Sequence, residues 1–560
     1  MKFKRRCIGS DIACAAVCVI CRPFYLFSVL ALGPLKGQLL SFLGDQTNFT
    51  RRLRSVTANY KFIVAGDEPN SKTNTNLLGL KHVVKHLKRE LSVEHVFCWH
   101  GLSAYWSGVS VGSQEMVRYS PHVTYASPPD TTLVVEPSMN WNPSVLAGIG
   151  AIYDPFHLYN DMHSYLSSCG VSGVKVDCQS GVILLGSVAG GAAAVANRYH
   201  DALEASVSRY FRGNHVINCM CHSIENIYRW KDTAVARSSD DFYPLDSASH
   251  LPHIVACAYN GFFLSPLVIP DYDMFQSNHP LNETHAIARA VSGGPIYVSD
   301  APGNHDFEIL RKLVLSDGSI LRPNRPCRPT VDCLFSDVTQ DGESLLKIWS
   351  MNNFGAVIGV FNVQGFSWNR VKRKFWRHSS LMSTKIKSYV TPQDIPLFQT
   401  SKCTKYVFFS SGNGRNTVWR LLQNEHATQE IELSTGGALA ISLAPIYQIG
   451  SLKFSAIGLT NMYNAGGAIL SIEYEGINGD MVSLDTSTTG LPIIGPRIEV
   501  NIRGNGSFSA YCDKSPKGCC IDGQETDFTW ENCSGRLDIS VSERPSSTLD
   551  SVRHILTLKF

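Results

Sequence analysis

Apolar and polar positions change their rhythm along this chain. Leu77–Leu91 sets apolar residues at helical spacing, with lysine and histidine on the other face. Val96–Trp99 (VFCW) then reads as a short apolar strand. Tyr153–Cys169 predicts a helix, Gly173–Asp177 (GVKVD) a strand ending on a carboxylate, Ala192–Phe211 a helix and Val216–Met220 a strand. Ala234–Arg237 leads into Ser238–Asp241, Asn282–Val291 predicts a helix, and Pro295–Val298 a strand ending near Asp300. Strands alternating with helices argue for parallel βαβ units. Several strands end in or near Asp or Cys, which suits a barrel whose chemistry sits at the C-terminal strand ends.

After about Lys372 the period shortens. From Tyr406 onward come YVFF, TVWRLL, QEIEL, ALAISLA, FSAIGL, AILSIEY, RIEVNIRG, FSAYC and LDISVS, many separated by turn residues. That is the pattern of an antiparallel β-sandwich. The expected organisation is an atypical segment 1–50, an α/β domain 51–372, a linker 373–394 and an all-β domain 395–560. In the first segment a basic start (MKFKRR) precedes the mostly apolar Ile12–Gly33. Arg22 and Pro23 cut that stretch into runs of about ten residues, short of the ~20 needed to span a bilayer. No clean small-x-small cleavage site follows, so no firm membrane association and no secretion are expected.

Composition narrows the picture. In 560 residues, 44% hydrophobic and 17% charged, there is core enough for several folded layers and no signature of disorder. A net charge of +3 gives no basic field, so no nucleic-acid partner is expected. The 17 cysteines are scattered. Cys18 and Cys21 form a CxxC without a second half, and Cys519 and Cys520 are adjacent, so no metal is expected. Thiols packed as small hydrophobes fit a reducing compartment, the cytoplasm or alternatively a plastid. Sequons at Asn48, Asn282, Asn505 and Asn532 add little without a secretory route.

Candidate chemistry lies in a few strings. Gly108–Gly112 (GVSVG) has the nucleophile-elbow spelling without a convincing helix after it, and reads as a loop. Gly186–Gly191 (GSVAGG) lacks phosphate-loop spacing and reads as a helix entry. In GVKVDCQ, Lys175 and Asp177 are two apart on a strand and share a face. At a barrel strand end that carboxylate is a competent nucleophile toward an anomeric carbon; otherwise the two cap the strand as a surface pair. Arg237–Pro244 (RSSDDFYP) offers Asp240 and Asp241, of which one acts as general acid and the other supports, or both serve as a helix cap. Asp271 and Asp273 in PDYDMF and Asp300 in GGPIYVSD add carboxylates able to bind hydroxyls, and Trp99 and Trp106 could stack on a sugar face.

Together, GVKVDCQ, AVARSSDDFYP, DYDMFQSNHP, ARAVSGGPIYVSDAPGNHDFEILRKLVLSDGSILRP and CLFSDVTQDGESLLKIWSMNNFGAVIGVFNVQG resemble the raffinose synthase, seed imbibition protein and alkaline α-galactosidase group of glycoside hydrolase family thirty-six, its plant members above all. The resemblance runs from about Arg51 to the C-terminus and is densest at Asp271–Gly365. It implies a (β/α)8 TIM barrel followed by a C-terminal antiparallel β-sandwich, and retaining chemistry on α-galactosides without metal or cofactor. It implies that Asp177 is the nucleophile and that the acid/base lies in SSDD, Asp240 before Asp241. It sets Trp99, Lys175, Arg237 and Asp273 around the galactose. The substrates implied are galactinol, sucrose and raffinose, with transfer and hydrolysis differing only in whether sugar or water accepts. KVDCQ and YPLDSASH look more like the seed imbibition and alkaline α-galactosidase branch. The family strings GWCTWDAF and IDDGW are missing here. A barrel incomplete at its first strands is therefore expected, and with it a second reading: an impaired, truncated homologue acting as a sugar-binding or stress-associated protein.

Overall fold

The computed structural model describes residues 51–58, 79–126, 130, 148–188, 190–369, 372, 374–378, 380, 385–399, 404–411, 417–476, 480–484, 494–543 and 552–560. The N-terminal segment 1–50, with its CxxC and the Asn48 sequon, lies outside the described residues. The chain divides into two compact units at Arg237/Ser238. The fold class is the expected one: βα units of the TIM-barrel type, followed along the chain by antiparallel sheets.

In the first unit the helical pattern of the sequence becomes α1 (Leu80–Glu90), which buries Leu80, Val84 and Leu87 and exposes Lys81 and Lys85. Then follow β1 (Phe97–Gly101), α2 (Phe156–Ser168), β2 (Gly173–Asp177), α3 (Ala192–Tyr210), β3 (Val216–Asn218) and β4 (Val235–Arg237). The four strands are parallel neighbours in chain order. In β2, Val174 and Val176 are fully buried in a core with Leu158, Tyr159, Val195 and Leu203 of the helices. The strand alternation therefore turns Lys175 and Asp177 to the opposite face. GVSVG lies in a loop, and GSVAGG ends in Gly190 and Gly191 at φ +86° and +104°, a left-handed turn that only glycine enters cheaply before α3.

In the second unit α4 (His250–Leu264), β5 (Ile269–Asp271) and α5 (Asn282–Ser292) precede the antiparallel strands. Pro295–Val298 does not form the expected strand. Pro295 has no N–H to give to a ladder, and only Val298 bridges to Phe275, in parallel. A six-stranded sheet centres on Ala356–Phe361, which is buried at every position. Val357 and Phe361 share a core with Ile254 of α4 and Ile287 and Val291 of α5. Ala356, Ile358 and Val360 pack on the other side against Ile386, Ile431 and Leu433. Covering both faces explains why the run is continuously apolar rather than alternating. Two further sheets, five- and six-stranded, enclose Phe454, Ile472, Val500, Phe508, Leu537 and Leu556. Every apolar run from YVFF to LDISVS lies on a strand. Within 373–394, where a linker was expected, Lys374–Arg377 and Lys385–Val390 are strands paired with Phe366–Asn369 and Gln429–Ser434. The buried Lys347 ammonium holds this stretch through Asp394 Oδ1 at 2.9 Å, and also meets Asp332 Oδ2 at 2.8 Å.

Candidate active site

Asp177 is the last residue of β2, 8% exposed. Its Oδ2 accepts from Trp99 Nε1 at 3.1 Å and its Oδ1 from the Cys178 N–H at 2.7 Å. One donor on each oxygen fixes the plane of the carboxylate and leaves lone pairs on both. Cys178 itself adopts φ +57°, a conformation costing a non-glycine residue on the order of 1 kcal/mol. Trp99 stands on β1 opposite Lys175 of β2, and its ring meets Tyr105 edge-on at 5.5 Å and Trp106 at 5.9 Å. The next residue, His100, is buried and linked to His163 Nε2 at 3.1 Å, which in turn meets Ser206 Oγ at 2.9 Å. Burial pulls His100 down to about 4, so this framework is neutral. Arg237 ends β4, is buried, and sets Nη1 3.7 Å from Cys219 Sγ. Glu204 of α3 anchors the turn before β4 by accepting from the N–H groups of Lys231 and Asp232 and from Thr233 Oγ1.

The second unit carries the remaining carboxylates. Asp240 and Asp241 are both exposed. Asp240 Oδ1 lies 4.0 Å from Nδ1 of buried His253, which is also 3.2 Å from Ser239 Oγ. Asp273 reaches back to this loop, accepting from the Phe242 N–H through Oδ2 at 2.8 Å. Tyr297 donates toward Asp271 Oδ2 at 2.8 Å and lies 3.2 Å from Asp273 Oδ1. Asp271 Oδ1 accepts from the Asp273 N–H at 3.0 Å, and both residues are fully buried. Asp273 has φ +63°. Buried Arg289 of α5 holds that conformation by donating to three successive carbonyls, Tyr272 O at 2.6 Å, Asp273 O at 3.1 Å and Met274 O at 3.1 Å. Asp300 sits apart from this pair. It accepts from Ser277 N and Oγ at 2.7 and 2.6 Å and meets His305 Nδ1 at 3.1 Å.

Among the described residues one group has metal-ligand composition, His250, His279 and His285. Arg289 Nη1 lies 2.8 Å from His285 Nδ1, and a guanidinium only donates, so that nitrogen accepts. The proton of neutral His285 is then on Nε2, facing His250 Nδ1 at 3.0 Å. Two lone pairs, on His285 Nδ1 and His250 Nδ1, are thus engaged beside a fixed positive charge, while the buried His250 Nε2 has no hydrogen-bond partner. Burial lowers all three histidines, His250 to about 4.

The expected residues thus separate by unit. Trp99 and Asp177 are in contact, with Lys175 on the same sheet and Arg237 two strands on. Asp271 and Asp273 are joined through Tyr297, and Asp273 through the Phe242 amide to the loop of Asp240 and Asp241. Cys178, His253, Arg289 and Tyr297 were not singled out from sequence. Tyr297 stood inside GGPIYVSD, next to recognised residues; His253 and Arg289 lie on helices, and nothing local marks their loop partners. Of the cysteines described, only Cys533 is exposed. No described helix is long and apolar enough to cross a membrane.

A family model described as raffinose synthase or seed imbibition protein Sip1 matches residues 40–541. A probable galactinol–sucrose galactosyltransferase 1 of Arabidopsis thaliana is 38% identical over 511 residues, 89% of this chain and 64% of its own. The galactinol–sucrose galactosyltransferase of Pisum sativum is 32% identical over 510 residues, 87% of this chain and 60% of its own. The chain spans less than two thirds of the length of these relatives. A β-L-arabinopyranosidase from Geobacillus stearothermophilus superposes at a TM-score of 0.42 with 12% identity, over 68% of this chain and 80% of its own, too loosely to bear on the site.

Proposed function

We propose that this chain, which belongs to the raffinose synthase or seed imbibition protein family, moves α-galactosyl groups between sugars of the raffinose type through a galactosyl ester on Asp177. The observation that carries the reading is the carboxylate at the end of β2, held by one indole N–H and one backbone N–H. Asp177 attacks the anomeric carbon as the bond to the leaving oxygen breaks, and Asp240 gives that oxygen its proton. Asp240 then takes the proton of an incoming hydroxyl, whose oxygen attacks the same carbon and frees Asp177 with net retention. With galactinol as donor and sucrose as acceptor the product is raffinose; with water it is galactose. His253 beside Asp240 and the Asp273 bond to the Phe242 amide support Asp240 as the acid/base, because they fix the loop that carries it.

The test is turnover of galactinol by the purified chain with and without sucrose. Raffinose appearing only with sucrose supports transfer, and galactose in both supports hydrolysis. No release from a folded sample overturns the catalytic reading in favour of a sugar-binding homologue.

A further inference from the structure

Beyond Asp240 and Asp241 the same loop presents Tyr243, 42% exposed. Against it lies the hairpin Phe366–Asn369/Lys374–Arg377. Its register sets Trp368 opposite Phe375 and Phe366 opposite Arg377, so these four share one face and Ser367, Asn369, Lys374 and Trp376 share the other. The first face is turned to the loop. The Phe375 ring lies 6.4 Å from Tyr243, Trp368 meets Phe375 edge-on at 5.0 Å, and Arg377 donates to Ser247 Oγ. Phe366 is buried and anchors the hairpin, whereas Trp368 remains 52% exposed. Three converging aromatics, two of them open to solvent and rimmed by a guanidinium and a hydroxyl, form a surface that an apolar core does not require.

The chemistry of the site says what such a surface holds. The acid/base acts on the oxygen of the leaving alcohol and then on the hydroxyl of the acceptor. With Asp273 joined to the Phe242 amide on one side of the loop, Tyr243 beyond it is placed to reach the acceptor side of the bond. Sugar C–H faces stack on aromatic rings, and sugar hydroxyls pair with donors such as Arg377 and Ser247. We propose that Tyr243, Trp368 and Phe375 form the platform on which the acceptor, a neutral saccharide, is held for transfer. This rests on the proposed function in taking the Asp240 loop as the acid/base loop.

Two readings test it. In calorimetric titration, sucrose binds the unsubstituted chain, and Trp368→Ala and Tyr243→Ala each weaken that binding by about fivefold to tenfold, the scale of one lost aromatic stack. Trp376→Ala, on the far face of the hairpin, leaves the affinity as it was. With α-galactosyl fluoride as donor, whose leaving group is a single atom, the ratio of transfer to hydrolysis falls by a similar factor in the two platform variants. Equal sucrose affinity in all four proteins, an equal loss in Trp376→Ala, or no sucrose binding by the unsubstituted chain overturns the platform. Failure to turn over the fluoride overturns the catalytic reading instead, and leaves the titration to decide the platform.

Discussion

Asp177 and Asp300 invite direct comparison. Each is 8% exposed, and the sequence marks each as the acidic end of a short apolar run. Asp177 accepts one hydrogen bond per oxygen, from an indole and a backbone amide. Asp300 accepts from a backbone amide and from the Ser277 hydroxyl and meets His305 Nδ1, with the Asp300 and His305 side chains almost wholly buried. The first arrangement orients a carboxylate and keeps lone pairs available. The second uses the carboxylate to tie a loop together, since Ser277 Oγ also accepts from the Asp306 N–H. If Asp177 is the nucleophile, as proposed, the number and kind of donors around a carboxylate, not its burial, separate a reacting one from a framing one.

Substitutions should sharpen that contrast. The largest effect expected is Asp177→Asn, which keeps the shape and removes the proposed nucleophile: turnover of α-galactosyl fluoride falls on the order of 10³-fold or more, with the melting temperature near that of the parent chain. Asp300→Ala acts in the opposite sense. It strands His305 and the Ser277 donors and costs about 3 kcal/mol in denaturant unfolding of the whole chain. Were Asp300→Ala to leave stability unchanged and abolish turnover, the two roles would be reversed.

Solution pH gives the next effect. His100 and His250 titrate near 4 in the folded chain, because burial disfavours their charged forms, against 6.5 for the ordinary side chain. Between those values the unfolded chain binds the extra protons. Stability therefore falls as pH drops from 6.5 toward 4, by about 1.4 kcal/mol per pH unit for each histidine, and these two groups add nothing further above 6.5. Unfolding midpoints followed from pH 7.5 to 4.5 measure this. The smallest effect is that of Trp99→Phe, which keeps the ring packing and deletes the N–H to Asp177. One lost orienting hydrogen bond predicts about a tenfold fall in kcat.

Much of this was legible in the sequence, for local reasons. The KVD spelling sets Lys175 and Asp177 on one face of a strand whose valines fix the other face in the core, so period and burial agree. The runs from YVFF to LDISVS are strands because apolar length and turn spacing coincide. Less local features did not show. Lys385–Val390 (KIKSYV) is half charged or polar, and becomes a strand only through its partner Gln429–Ser434, some forty residues away. Arg289 looks like any helical arginine, yet its burial depends on three loop carbonyls that precede it by about fifteen residues. Pro295–Val298 had the apolar content of a strand but starts on a residue that cannot join a ladder.

The central claim is a covalent galactosyl ester on Asp177. A fluorinated α-galactosyl fluoride that forms this ester faster than it is hydrolysed would trap it. Mass spectrometry of the intact chain should show a gain of one fluorogalactosyl group, mapped by proteolysis to the peptide containing Asp177 and absent in Asp177→Asn. An adduct on another carboxylate, or turnover that survives Asp177→Asn, would contradict the account.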